Sequence, residues 1–237
     1  MMIELNSELL NYLAGNGYQQ GDRLPTIPEL AERLGISTGK LREQLEVARE
    51  MGLVDVRPKT GMRLQAYDFF PMLRANLLFG LALDPTLFEQ YGMLRNHVEA
   101  AFFHQAVERL EPADKQELEA LIKQAWEKLR GSPVQIPHEE HRRLHLTIFR
   151  RLDNLYVQGL LKAYWEAYEA VGLDLYTDYS YLEQVWTYHQ QMVEAIIQGE
   201  LDTGYQLLVE HTGLIHRRPE SADNPAAAEL AVGVARS

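Results

Sequence analysis

A chain of 237 residues, 46% hydrophobic and 24% charged, is long enough for one large domain or two modest ones, each with its own core. No apolar run approaches the ~20 residues of a membrane-spanning helix, and the opening MMIELNSELLNYL carries glutamates where a secretory signal carries basic residues. Cysteine is absent, which excludes disulfides and thiolate metal sites and fits a cytoplasmic protein. The net charge of −11 is unevenly spread: residues 21–66 hold eight Lys/Arg against seven Asp/Glu, while everything from Tyr67 onward carries −10. An acidic body with one near-neutral segment permits DNA contact through a small face but does not show it.

Leu5, Leu9, Leu10 and Leu13 recur at helical spacing and are stopped by Gly15 and Gly17, which predicts a first helix. TIPELAERLG predicts a second, with Thr26 as N-cap, Pro28 in the first turn and Gly35 as terminator. STGKLREQLEVAREMG predicts a third, with Ser37 as N-cap, Leu41, Leu45 and Ala48 inward, and Gly52 as stop. LVDVRP and MRLQAY then alternate in period two around KTG, the pattern of a hairpin. From residue 68 to 217 the periods are helical: 87–110, 114–130, 138–152, 155–172, 181–199 and 202–218, separated by turn signals such as EPAD, GSPVQIP and GELD. The expected fold is mainly α: a winged helix-turn-helix domain over 1–67, an all-α bundle over 68–217, and a loosely ordered tail over 218–237, rich in small residues.

Two helices joined by LGIS, the second serine-capped and followed by a strand pair, make a winged helix-turn-helix whose second helix enters the major groove N-terminal end first. The candidate contacts on that helix are Ser37, Thr38, Gly39, Lys40 and Arg42. Small residues allow close approach, and a good bidentate contact from a basic side chain gives about 1–3 kcal/mol of discrimination between bases. The hairpin tip adds Arg57, Lys59, Thr60, Gly61 and Arg63 as a wing for phosphate or the minor groove. The plain alternative is an amphipathic helix that happens to carry two basic residues.

The residues from Gly21 to Leu64 resemble the N-terminal domain of the GntR family of bacterial transcription regulators. Gly21, Leu24, Pro25, Thr26, Leu30, Ala31, Leu34, Gly35, Ile36, Ser37, Leu41, Arg42 and Leu45 match the family pattern, followed by Gly52-Leu53-Val54 and the wing glycine Gly61. By this resemblance Thr26 joins the expected DNA contacts. One departure is notable: the family's arginine after the serine is Thr38 here, so the operator sequence is not transferable from better-known members.

All eight histidines lie after residue 96, and PHEEHRRLHLTIF places three of them with two glutamates in thirteen residues. His141 and His145 are one turn apart on a predicted helix and form a half-site for a divalent metal, with His138 near the same stripe. His189 and His211 are candidates on later helices, against the plain alternative of scattered core or surface histidines. The zinc-protease pattern fails, since HEEH has the wrong spacing and HRRLH lacks the glutamate.

This region is similar to the FCD ligand-binding domain of the FadR-type branch of the GntR family. His145, Ile148 and Asn154 fall in its first block, His189 and Gly199 in its second, and His211 lies twenty-two residues after His189 where the last ligand belongs. The family aspartate aligns with His141, with Glu140 or water as a substitute if His141 does not ligate. The resemblance implies a metal held by His141, His145, His189 and His211. Four imidazoles favour Zn²⁺ or Ni²⁺ over a hard cation. It also implies a carboxylate effector bound at the metal, with Arg95 and Glu99 in its pocket; for Arg95 a surface salt bridge is the plain alternative. Tyr164, Trp165, Tyr168, Tyr181 and Trp186 either line that pocket or are ordinary core. The expected function is a metabolite-responsive DNA-binding regulator, a repressor in the commoner family mode, acting as a homodimer on a palindromic double-stranded operator. The competing readings are a metal-dependent hydrolase with a DNA-tethering domain, and a regulator whose helical domain only dimerises.

Overall fold

In the computed structural model, residues 3–57, 61–173 and 178–214 are described. Lys59 and Thr60 of the expected wing, and the expected tail, lie outside them. The chain forms two compact units, residues 1–76 and 77–237.

The first unit opens with α1 (Glu8–Gly15), where the Ser7 hydroxyl accepts the Leu10 N–H. That cap starts the helix after Leu5, which is exposed instead of joining the apolar face; the Leu5 N–H donates to Asn11 Oδ1 at 2.8 Å. A capping box between Thr26 and Glu29 starts α2 (Ile27–Leu34), and Gly35 ends it at φ 64°, a left-handed conformation that costs glycine little. Two residues later, Ser37 accepts the Lys40 N–H and starts α3 (Thr38–Glu50). The strands β1 (Val54–Arg57) and β2 (Gly61–Leu64) pair antiparallel, with Val54 opposite Leu64 and Arg57 opposite Gly61. A further pairing has no local signature: Asp22 to Leu24 run along β2, with Leu24 N–H to Met62 O at 2.9 Å and Leu64 N–H to Asp22 O at 3.0 Å. Leu9, Leu30, Leu41, Leu45, Val54 and Met62 close one core beneath the three helices and the hairpin.

The second helical region begins with α4 (Phe70–Leu83), which the sequence reading did not separate. FPMLRANLLFGLAL is apolar almost all round, so it has no contrast of faces to reveal a period, and Met72, Phe79 and Leu83 are exposed. The division between the two units falls within it. Then follow α5 (Leu87–Glu108), α6 (Pro112–Leu129), α7 (His138–Phe149), α8 (Leu155–Ala170), α9 (Tyr179–Gln198) and α10 (Leu201–Thr212). The α6 helix packs on α7 and α9, α10 on α5 and α9, and α5 on α7 and α8. Phe103, Leu144, Ile148, Phe149, Trp186 and Ile196 lie in one buried cluster, and Phe88, Tyr164, Trp165 and Tyr168 in a second. The architecture is mainly helical: three helices and a small hairpin, then a helical bundle. Among the described residues no helix is long and apolar enough to cross a membrane.

Helix α10 approaches α5 through Gly204, where an added methyl would lie 3.1 Å from Phe103 Cζ. Phe103 is fully buried, so its ring has little room to yield. Gly204→Val is therefore expected to lower stability by about 1–3 kcal/mol. Gly213→Ala, with open space around it, is expected to be near neutral. Urea unfolding of both variants checks the contrast; equal stabilities would contradict the close α5–α10 approach.

Candidate metal centre

Three helices deliver four imidazoles to one point. On α7, His141 and His145 lie four residues apart and share a face. Gly199, at φ 77°, ends α9 in a left-handed cap and allows α10 to return beside it. His189 lies ten residues before that turn and His211 twelve after, so at about 1.5 Å per residue they stand at nearly the same height. His145 Nε2 and His211 Nε2 are each 3.1 Å from His189 Nε2. One nitrogen from each of His141, His145, His189 and His211 falls within 4.8 Å of the others.

These rings are out of water. His145, His189 and His211 are buried, and His141 is half-buried with a buried Nε2 that has no hydrogen-bond partner. Burial holds the His141, His189 and His211 imidazoles well below the ordinary histidine range, helped by the neighbouring rings and Arg95. It lowers His145 too, although Glu99 pulls the other way. Burial thus favours the neutral form of all four, the state in which imidazole ligates metal.

The donor set fits a divalent ion. For a metal–nitrogen distance of about 2.0–2.1 Å, neighbouring nitrogens lie about 2.8 Å apart at right angles and about 3.4 Å apart at tetrahedral angles, and the observed 3.1 Å contacts fall between. No arrangement of protons satisfies those contacts equally well. The single lone pair on His189 Nε2 cannot accept two good hydrogen bonds, and a proton placed there serves one neighbour only.

Behind His145 stands a buried carboxylate. Its Nδ1 lies 3.3 Å from Glu99 Oε1 and 2.8 Å from Arg95 Nη2. Only one of these can be a hydrogen bond at a time. With Nε2 given to a cation, the proton sits on Nδ1 and points to Glu99, the carboxylate–histidine arrangement that orients metal ligands. Burial acts to raise the Glu99 carboxyl, but Arg95 and His145 outweigh it and hold it below the ordinary range. Arg95 is 4% exposed, so it is no surface salt bridge: its Nε lies 2.9 Å from Glu99 Oε1 and its guanidinium covers the Tyr164 ring at 4.7 Å.

Two neighbours stay outside the cluster. His138 turns to Glu169 at 2.9 Å and stacks on Tyr168. Glu140, considered as a substitute ligand, is bound instead to Lys128 on α6 at 2.7 Å. The expected aromatics prove to be both wall and core: Tyr164, Trp165, Tyr168 and Trp186 are buried and, with half-buried Tyr181, border the small cavities beside His141.

In the first unit, Ser37, Thr38, Gly39, Lys40 and Arg42 are exposed along the start of α3. Lys40 is not unoccupied, since its ammonium pairs with Glu8 on α1. The Glu8 carboxyl is lowered to about 2, chiefly by its hydrogen bond with Lys40. Arg63 donates to Gly21 O at 2.6 Å, and the Thr26 hydroxyl to Glu29 at 2.8 Å. Gly61 sits at φ 80° against the Arg23 side chain, a basic neighbour of the wing that the sequence reading did not single out.

A family model of the FCD domain matches residues 92–214, just over half of the chain and the whole of the histidine cluster. The chain belongs to the GntR-family transcription regulators with a C-terminal FCD domain. Its fold is that of a Streptococcus agalactiae GntR structure, with a TM-score of 0.64 at 18% identity over 88% of this chain and 95% of that one. E. coli McbR/YncC gives a TM-score of 0.47 at 18% identity, covering 90% of this chain and 99% of that one. A GntR family member from Pseudomonas syringae gives 0.41 at 16% identity, covering 86% and 78%. No curated protein matches the chain significantly in sequence. As a GntR-family regulator it is not an enzyme, and the hydrolase reading is set aside.

The buried FCD imidazoles carry a pH signature. Their folded pKa values lie below the unfolded value of about 6.5. Below pH 6.5 the unfolded chain therefore binds more protons, and stability falls as pH falls toward the folded values. Above pH 6.5 this contribution is fully present. Chelator-treated protein is expected to lose up to about 1.4 kcal/mol per pH unit for each ring that stays neutral. Urea unfolding between pH 8 and pH 5 checks this against a His141→Gln, His211→Gln variant, whose slope should be shallower.

Proposed function

We propose that this regulator senses a small carboxylate at a metal held by His141, His145, His189 and His211, and that occupancy of the site alters its grip on DNA. The convergence of imidazole nitrogens from three helices is the observation that carries the reading. Four neutral nitrogen donors favour Zn²⁺ or Ni²⁺. When bound, such an ion supplies a Lewis-acidic position for an anionic oxygen, provided its coordination number exceeds four.

Charge supports the same conclusion. Glu99 balances Arg95, and the four ligands bring no charge to offset a divalent cation. A site with histidine where the family has aspartate would draw an anion more strongly for that reason. Arg95 lines one cavity with His141 and His211, which supports a role in meeting the effector, while Glu99 lies behind His145 as its positioning partner.

The DNA-reading role falls to the exposed start of α3, with Ser37, Thr38, Gly39, Lys40 and Arg42, and to Thr26 and the wing residues Lys59, Thr60, Gly61 and Arg63. In this reading the cytoplasmic protein acts as a homodimer, two recognition helices meet half-sites about one turn apart on a palindromic operator, and the commoner mode is repression. Coupling between effector and operator of about 1–3 kcal/mol is typical of such switches.

Arg42→Ala is expected to weaken operator binding about tenfold or more in a gel-shift titration, with helicity unchanged by circular dichroism; full affinity would remove α3 from the interface. Affinity for the intact protein should also fall steeply with salt as counterions are released. His189→Ala combined with His211→Ala is expected to abolish zinc content by elemental analysis. Full zinc content in that variant would remove both residues from the site. A wild-type protein that takes up no metal would favour a bundle that only dimerises.

A further inference from the structure

We infer that the effector is a monocarboxylate with an apolar, preferably aryl, tail. This rests on the metal-centred reading above and assigns the other end of the ligand. Two small cavities flank His141, and His141, Tyr168 and Tyr181 border both. The two cavities adjoin through these three side chains, and the proposed ligand takes them as its two ends.

The ends differ in chemistry. The near end has Arg95 and His211 beside His141, the setting for an anionic head. The far end is walled by Ile136, Leu173, Leu182, Val185 and Trp186, and among the described residues no Asp, Glu, Lys or Arg lines it. An anionic or sugar-like group there would lose its water and meet no cation and few donors. An apolar group would lose nothing of that kind. The far wall is also aromatic: the His138 ring stacks on Tyr168 at 5.7 Å between centroids and 10° between planes, and Trp186 packs edge-on to His141 at 6.0 Å. Flat faces and edges of this kind favour an aryl group through offset and edge contacts.

Each cavity encloses about 20 Å³, room for about one water molecule. A ligand spanning both ends therefore displaces Tyr168 or Tyr181. Tyr181 is half-buried at the start of α9, and Tyr168 is buried within α8. His189, which would hold the metal, lies two turns further along the same helix as Tyr181. A long tail thus reports on the helix that carries a ligand, which acetate alone would not do.

The experiment uses the full chain loaded with zinc, its metal content measured, and titrated calorimetrically with acetate, phenylacetate and succinate. Phenylacetate is expected to bind at least about tenfold more tightly than acetate, and succinate no more tightly than acetate. Val185→Thr, which keeps the shape of the far wall but makes it polar, is expected to cut the phenylacetate advantage several-fold while zinc content and acetate affinity stay unchanged. Equal affinities for acetate and phenylacetate in zinc-loaded protein, tighter binding of succinate, or an undiminished advantage in Val185→Thr would overturn this proposal alone. Failure of the protein to take up zinc would overturn both this proposal and the metal-centred reading.

Discussion

Three imidazole edges pressed together in a dry interior set a problem that protons solve badly. His189 Nε2 faces two other Nε2 atoms at 3.1 Å, and each neutral ring has one donor and one acceptor. A charged ring would relieve one contact but would carry its charge into a site where burial already depresses every histidine. A divalent cation accepts all the lone pairs at once. The rest of the second unit can be understood as a frame that holds this arrangement in place, with packing energy from the surrounding core offsetting the cost of burying so many polar edges.

That frame is built from ordinary devices. The one-turn spacing on α7 supplies two rings, and the left-handed cap at Gly199 folds α10 back so that His189 and His211 meet. The close α5–α10 approach at Gly204 sets where α10 lies, two helical turns from His211. From α5, Glu99 fixes the rear nitrogen of His145, and Arg95 keeps Glu99 ionised. Helix α5 thus joins the core, the carboxylate behind the ligands and the guanidinium beside the cavity. A ligand that moved Arg95 or Tyr181 would disturb two of these helices together. The described geometry supports coupling at that level, within the second unit.

Much of this was legible in the sequence because it is local. Caps at Thr26 and Ser37, the glycine stops, the hairpin alternation and the spacing of His141 from His145 are all short-range patterns with short-range physical causes. The convergence of His189 and His211 was legible only through family resemblance, because they lie 22 residues apart on two helices joined by a turn. Helix α4 escaped because a helix apolar on nearly every face shows no period. The pairing of Lys40 with Glu8 escaped because it spans 32 residues, and nothing in either local stretch announces it. Burial of the Arg95–Glu99 pair escaped for a related reason: an i,i+4 ion pair looks the same on a solvated face as in a core, and only tertiary packing decides which.

The central claim is that imidazoles from α7, α9 and α10 bind one ion. X-ray absorption at the metal edge of the purified, zinc-loaded chain tests it most directly. The account predicts a first shell dominated by nitrogen at about 2.0–2.1 Å, with the outer-ring scattering of at least three imidazoles. A shell made mainly of oxygen, or one containing a single imidazole, would contradict it.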